Sequence, residues 1–166
     1  MAMTLAWDGS SPIRKLEGLE PSFDVLKGAL SGPIELEENG AAFLADPGLG
    51  QKTGWFYDQR PNRAWAARLA RGQRVLDLYS YAGGFGVLAA CHGATQVLCA
   101  DRSQTALDLA RLAAERNGVA EKVGFEKCEA FDYLEKAAQK GERFGLVIAD
   151  PPAFVKSKKD FAQGAK

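Results

Sequence analysis

Val75-Leu76-Asp77-Leu78-Tyr79-Ser80-Tyr81-Ala82-Gly83-Gly84-Phe85-Gly86 changes character midway. It starts as an apolar run, with Val75, Leu76 and Leu78 covering both faces of an extended chain, as in a strand buried within a parallel sheet. A loop of small residues follows, and Val87-Leu88-Ala89-Ala90 continues as a good helix. Strand, glycine turn and helix start form the opening unit of a doubly wound fold. Glycines 83, 84 and 86 predict backbone passing close to a ligand, where a Cβ would collide. Asp77 is expected at the strand's carboxyl end, facing the same crevice.

The pattern repeats downstream. Residues 96–100 read as a second strand with Asp101 at its tip, and Ser103 is a good N-cap for a helix over 104–117. Residues 122–127 read as a third strand. Glu129 follows it, and a helix runs to about residue 140. Residues 144–149 are a fourth apolar strand, closed by Asp150-Pro151-Pro152-Ala153-Phe154, whose prolines forbid further pairing. Upstream, Pro61 suits a first helical turn. The helix over 62–71 should turn Trp65, Ala66 and Leu69 inward and end at Gly72. His92, the single histidine, falls at a helix carboxyl end, where a capping role outweighs catalysis.

Four βα units joined by right-handed crossovers give a parallel sheet ordered 3-2-1-4, an α/β Rossmann-like doubly wound architecture. Its switch point lies between strands 1 and 4, and a ligand belongs outside their carboxyl ends. Residues 61–166 form this domain, and residues 1–60 a preceding segment. Within that segment, residues 22–30 suggest a short helix with Phe23, Leu26 and Leu30 on one side. Asn39-Gly40 between residues 34–38 and 41–45 signals a hairpin. The stretch 48–60 mixes glycines with Trp55, Phe56 and Tyr57. It is either a hydrophobic plug or a loop over the crevice.

Lys and Arg together number 21, as do Asp and Glu, so no overall field draws the chain to nucleic acid. Cys91, Cys99 and Cys128 have no metal-ligand spacing and read as reduced core thiols of a cytoplasmic protein. No apolar run approaches the ~20 residues of a membrane span, and no signal peptide is visible.

Asp101 can accept hydrogen bonds from both ribose hydroxyls of a nucleoside. Glu129 is placed for an adenine amino group, with Ala130 and Phe131 along the ring. Gly84-Phe85-Gly86-Val87-Leu88-Ala89 matches the dinucleotide pattern, which alone is weak. Acids around the crevice favour a cationic ligand over a pyrophosphate, hence S-adenosylmethionine over NAD.

Asp77 with Gly83, Gly84 and Gly86, then Asp101, Glu129 and Asp150-Pro151-Pro152, resemble motifs I to IV of class I S-adenosylmethionine-dependent methyltransferases. Gly50-Gln51-Lys52-Thr53-Gly54-Trp55-Phe56-Tyr57-Asp58-Gln59-Arg60, Asp77-Leu78-Tyr79-Ser80-Tyr81-Ala82-Gly83 and Asp150-Pro151-Pro152-Ala153-Phe154-Val155 are similar to the bacterial ribosomal RNA large-subunit type I, which methylates cytosine carbon 5. The resemblance spans about residues 33–166. It implies a cofactor-side set of Thr53, Arg60, Asp77, Tyr79, Ser80, Tyr81, Gly83, Gly84, Phe85, Gly86, Asp101, Arg102, Glu129, Ala130, Phe131 and Asp150. It implies a catalytic set of Asp150, Pro151 and Pro152, and ribosomal RNA as the intact protein's partner. The family usually has aspartate in place of Glu129. It carries an N-terminal RNA-binding domain not found here, and a nucleophilic cysteine beyond residue 166. The chain therefore reads as a truncated, inactive cofactor-binding part, and strand 145–149 as an apolar edge prone to self-association. Lys156, Lys158 and Lys159 read as a solvated helix start, with phosphate contact the alternative. An amino-group methyltransferase would place an aromatic directly after the prolines to stack a flipped base, where this chain has Ala153. An NAD-binding oxidoreductase and a module that binds without turnover are the other readings.

Overall fold

The computed structural model describes residues 3–9, 18–20, 22–47 and 54–152. Two antiparallel hairpins come first: β1 (Leu5–Gly9) with β2 (Ser22–Lys27), and β3 (Ile34–Glu38) with β4 (Ala41–Ala45). The second hairpin turns at Asn39 and Gly40, both at positive φ, as expected for an Asn-Gly turn. The first replaces the helix expected over residues 22–30. Phe23 and Val25 alternate along β2 opposite Asp8 and Ala6, and Gly28 at φ 83 ends the run in a conformation no helix admits. A short apolar stretch satisfies both periods, and here the strand partner decided it.

After a 3₁₀ turn at Tyr57–Gln59 come α1 (Arg60–Leu69), β5 (Arg74–Leu78), α2 (Gly84–Cys91), β6 (Gln96–Asp101), α3 (Gln104–Arg116), β7 (Val123–Lys127), α4 (Ala130–Gln139) and β8 (Leu146–Ala149). All four later strands pair in parallel, in the order β7-β6-β5-β8, which is the expected 3-2-1-4. Ser103 caps α3, its side chain accepting from Ala106 N.

Successive residues of a strand face opposite sides. Val75, Val97, Cys99 and Val123 pack with β4, α2 and α3, while Leu76, Leu78 and Ala100 pack against Ala130, Tyr133 and Ala137 of α4. Asp77 shares its face with Val75, which aims its carboxylate into the α2 layer. The β3–β4 hairpin docks on α3 through Asn117. The Asn117 amide accepts from Ala42 N at 2.9 Å and donates to Ala42 O at 2.6 Å, as a neighbouring strand would.

Two packing expectations fail. Trp65 and Leu69 of α1 face solvent; Ala66 is buried as expected, and its companions on the inner face are Arg63, Ala67 and Ala70. Alanines let α1 approach α2 closely, whereas an indole would hold the helices apart. Among the thiols, Cys99 is core but Cys91 is exposed at the end of α2. Among the described residues, no helix is long and apolar enough to cross a membrane.

Candidate functional site

Beyond β5 the chain turns through Tyr79 (φ 59), Tyr81 (φ 48) and Gly83 (φ 76). A tyrosine in the left-handed region costs on the order of 1 kcal/mol and persists only where its surroundings hold it. The end of β6 supplies that hold. Ser80 N donates to Ala100 O at 3.2 Å, and Tyr81 N donates to Asp101 Oδ2 at 2.9 Å. Asp101 Oδ1 accepts from Ser103 N at 2.8 Å. Each carboxylate oxygen keeps a further lone pair for an outside donor.

Asp77 does not stand in the crevice. It is buried beneath the loop, where Oδ2 accepts from Gly86 N at 2.8 Å. A helix N-terminus that would otherwise attract a phosphate thus already has an internal carboxylate. The glycines also answer to the protein. A Cβ on Gly83 would lie 2.8 Å from Ala110 Cβ, and one on Gly84 would lie 2.9 Å from Arg63 Cδ. One on Gly86 would overlap Cys99 Sγ and approach Asp77 Oδ2 to 2.9 Å. What requires glycine is the close seating of α2 on α3, α1 and the sheet.

On the α1 side the crevice is backed by a buried polar cluster that sequence reasoning missed. Glu38 accepts from Arg63 Nε at 2.7 Å, Arg63 Nη2 at 3.1 Å and Trp55 Nε1 at 3.0 Å. Arg63 Nη2 also donates to Phe56 O at 2.7 Å. The guanidinium lies 4.5 Å from the Trp55 ring centre. Phe56 meets Tyr81 edge-on at 5.7 Å, joining this cluster to the strained loop. Arg60, named from the sequence, is instead exposed at the start of α1, its carbonyl accepting from Asn39 Nδ2. The one available signal was Glu38 itself, a charge in line with Ile34 and Leu36 on one face of β3.

Glu129 is exposed and its side chain caps nothing in α4, although it occupies the N-cap position. Burial, and secondarily the charge of Glu129, push the Tyr79 hydroxyl above its ordinary value, so the two stand within electrostatic reach. Phe131 is 69% exposed, while Ala130 is buried in the core beneath α4. Arg102, Asp150, Pro151 and Pro152 are exposed, and Phe85 is half-buried. Ser80 Oγ is buried, and it is the one buried side-chain polar atom without a hydrogen-bond partner among the described residues. Thr53 and residues 153–166 lie outside the described residues.

Burial pushes the Asp77 carboxyl up to about 7. Gly86 N–H and Arg63 oppose the rise, and the charges of Asp101 and Asp150 add to it. Asp101 and Asp150 thus bring two carboxylates within electrostatic reach of the buried Asp77 carboxyl, and a rim of that sign suits a cation and repels a pyrophosphate. The orphaned Ser80 hydroxyl and the open lone pairs of Asp101 supply polar contacts for a nucleoside. These features fit S-adenosylmethionine. The cysteines offer no activated thiolate: burial raises the Cys99 thiol well above its ordinary value, and partial desolvation raises those of Cys91 and Cys128.

The Asp77 shift has a sign that can be measured. Between its ordinary value of 3.8 and about 7, the folded protein holds a proton that the unfolded chain releases. The stabilisation is complete below that window and is lost as pH rises through it, amounting to about 4 kcal/mol at most. Melting temperatures of the wild type and Asp77→Asn, followed from pH 5 to pH 8, should shift relative to each other in favour of the variant. Parallel curves would show that Asp77 is already ionised at the acid end.

A family model for S-adenosylmethionine-dependent methyltransferases matches residues 20–165. Ribosomal RNA large subunit methyltransferase I of Aeromonas salmonicida is 42% identical over 148 residues, 88% of this chain and 37% of the relative. Its namesake from Photobacterium profundum is 43% identical with the same coverage. The chain thus spans little more than a third of the length of the curated relatives it matches. Among solved structures, SMU.776 complexed with SAH superposes at a TM-score of 0.73 with 28% identity, over 82% of this chain and 37% of that one.

Proposed function

The chain belongs to the S-adenosylmethionine-dependent methyltransferase family, and on that premise we propose that it is the cofactor-binding part of an RNA methyltransferase acting on ribosomal RNA. The observation that carries this reading is the pairing of the Asp101 and Asp150 carboxylates with an α2 N-terminus already capped by the buried Asp77. It favours a nucleoside bearing positive charge over a dinucleotide. The names of the curated relatives support ribosomal RNA as the substrate.

In this reading Asp101 takes the ribose hydroxyls and Glu129 the adenine amino group. Phe131 flanks the ring, and the loop from Tyr79 to Phe85 lies under the amino-acid portion. S-adenosylmethionine supplies an electrophilic methyl group on a sulfonium. Asp150, Pro151 and Pro152 hold the target base beside it, on a backbone the prolines stiffen. We assign the target as cytosine carbon 5, which needs a thiolate adding at carbon 6. Cys91, Cys99 and Cys128 do not provide one, so the chain alone binds the cofactor without turnover. β8 has β5 as its one neighbour among the described strands and leaves Val147 half exposed, which supports self-association along this edge.

Calorimetry with S-adenosylhomocysteine and with NAD tests the central assignment. The first should bind and the second should not. Asp101→Asn cannot accept from both backbone donors and the ribose, and should weaken binding at least about tenfold, the cost of one charged hydrogen bond. Tight binding of NAD, or undiminished S-adenosylhomocysteine binding by Asp101→Asn, would defeat it.

A further inference from the structure

Helix α1 presents a face that the described residues leave exposed. Arg63, Ala66, Ala67 and Ala70 are buried on its inner side. At 100° per residue, Pro61, Trp65 and Arg68 fall within about 60° of one another on the opposite side, with Leu69 adjacent. Trp65 is 64% exposed, as is Tyr57 in the turn before α1. Arg60, Arg68 and Arg71 are exposed as well. Asp58 is the one acid between residues 57 and 71, and Arg63 is neutralised by Glu38. A chain with no net charge therefore concentrates positive charge beside two exposed aromatic rings.

We propose that this face of α1, with the turns on either side of it, is a docking surface for single-stranded RNA, with Trp65 and Tyr57 stacking on bases, Arg68 meeting phosphate from the helix and Arg71 from the following turn, where it runs alongside Gly93. The proposal rests on the RNA methyltransferase reading and adds a path for the substrate strand to it. The chemistry matches a polyanion carrying planar rings: guanidinium groups pair with phosphate oxygens, and aromatic faces accept any base. A second copy of this chain is disfavoured, because a two-fold contact would set the same arginines against each other. The surface is also continuous with the crevice. Phe56, one residue before Tyr57, touches Tyr81 of the strained loop, and α1 leads away from there.

The test uses a short fluorescein-labelled single-stranded RNA, with anisotropy followed over a range of salt concentrations. Trp65→Ala should weaken binding about tenfold, as expected for loss of one stacked base. Arg68→Gln/Arg71→Gln should weaken it and lower the salt slope by up to about 1.4, about 0.7 per phosphate contact on a single strand. Both variants should keep the wild-type melting profile and the wild-type affinity for S-adenosylhomocysteine. Three outcomes overturn the proposal: RNA binding unchanged in both variants, no RNA binding by the wild type, or a Trp65→Ala effect confined to self-association. Failure of the wild type to bind S-adenosylhomocysteine would instead strike the underlying reading, and that titration is independent of the RNA.

Discussion

Arg63→Ala should destabilise the protein by about 3–5 kcal/mol, and Glu38→Met/Arg63→Met should cost distinctly less than that single substitution. The ion pair is among the most buried polar features described, with both side chains at or below 5% exposure. Removing Arg63 leaves the Glu38 carboxylate in the interior with Trp55 Nε1 as its remaining partner. It also strips Phe56 O of a donor and uncovers the Trp55 ring. A buried charge without its counter-ion is far costlier than no charge at all. The double methionine variant removes both charges at similar volume. It still orphans Trp55 Nε1, a residual cost of about 1–3 kcal/mol, while Phe56 O keeps the Gln59 N–H at 3.2 Å. Urea unfolding of the two variants and wild type settles the order. Equal losses would mean that the two residues act independently. A consequence for binding follows from position: Arg63 lies against Gly84, and Phe56 against Tyr81. The double variant should therefore fold and yet bind S-adenosylhomocysteine more weakly than wild type.

The same cluster marks the limit of what could be read without coordinates. The sheet was legible because the strands of a parallel sheet are largely apolar, as in 146–149 and in 75–78 around Asp77, and acids stand at or near their ends. The hairpin at Asn39-Gly40 and the cap at Ser103 were legible because each depends on residues a few positions apart. Glu38 and Arg63 lie 25 positions apart, and nothing local in either neighbourhood requires the other. The face of α1 was misread for a related reason. Hydrophobic size points Trp65 inward, but the spacing between α1 and α2 is set by a partner helix that admits only alanine there. β2 was misread because a stretch as short as 22–30 satisfies helix and strand periods equally. Asp77 shows a finer limit. Its place in the strand was plain, but its face decides between touching a ligand and capping a helix. That face depends on the two-residue alternation that makes Val75 a neighbour of α2.

Gly86→Ala is the second large effect, and it separates the two explanations for a glycine in this loop. Were glycine kept so that a ligand could approach, alanine would spare the fold and impair binding alone. The positions of Cys99 Sγ and Asp77 Oδ2 predict the reverse order of events. Both atoms belong to strands fixed in the middle of the sheet and cannot withdraw. The new methyl must push α2 outward, stretching the Gly86 N to Asp77 bond that joins helix to strand. Overpacking of this kind costs about 1–3 kcal/mol, and weakening a hydrogen bond to a carboxyl adds about 1.5–3 kcal/mol. Alanine's better helix propensity returns about 1 kcal/mol. The net loss should therefore be several kcal/mol, seen as a lower melting temperature before any ligand is added. Cys99→Ala removes the sulfur that meets the new methyl first. In Gly86→Ala/Cys99→Ala the loss should be smaller than the sum of the single losses by about 1 kcal/mol or more, a coupling well outside additivity for distant sites. Strict additivity in that cycle, with the Gly86→Ala melting temperature unchanged, would return the glycine to the ligand.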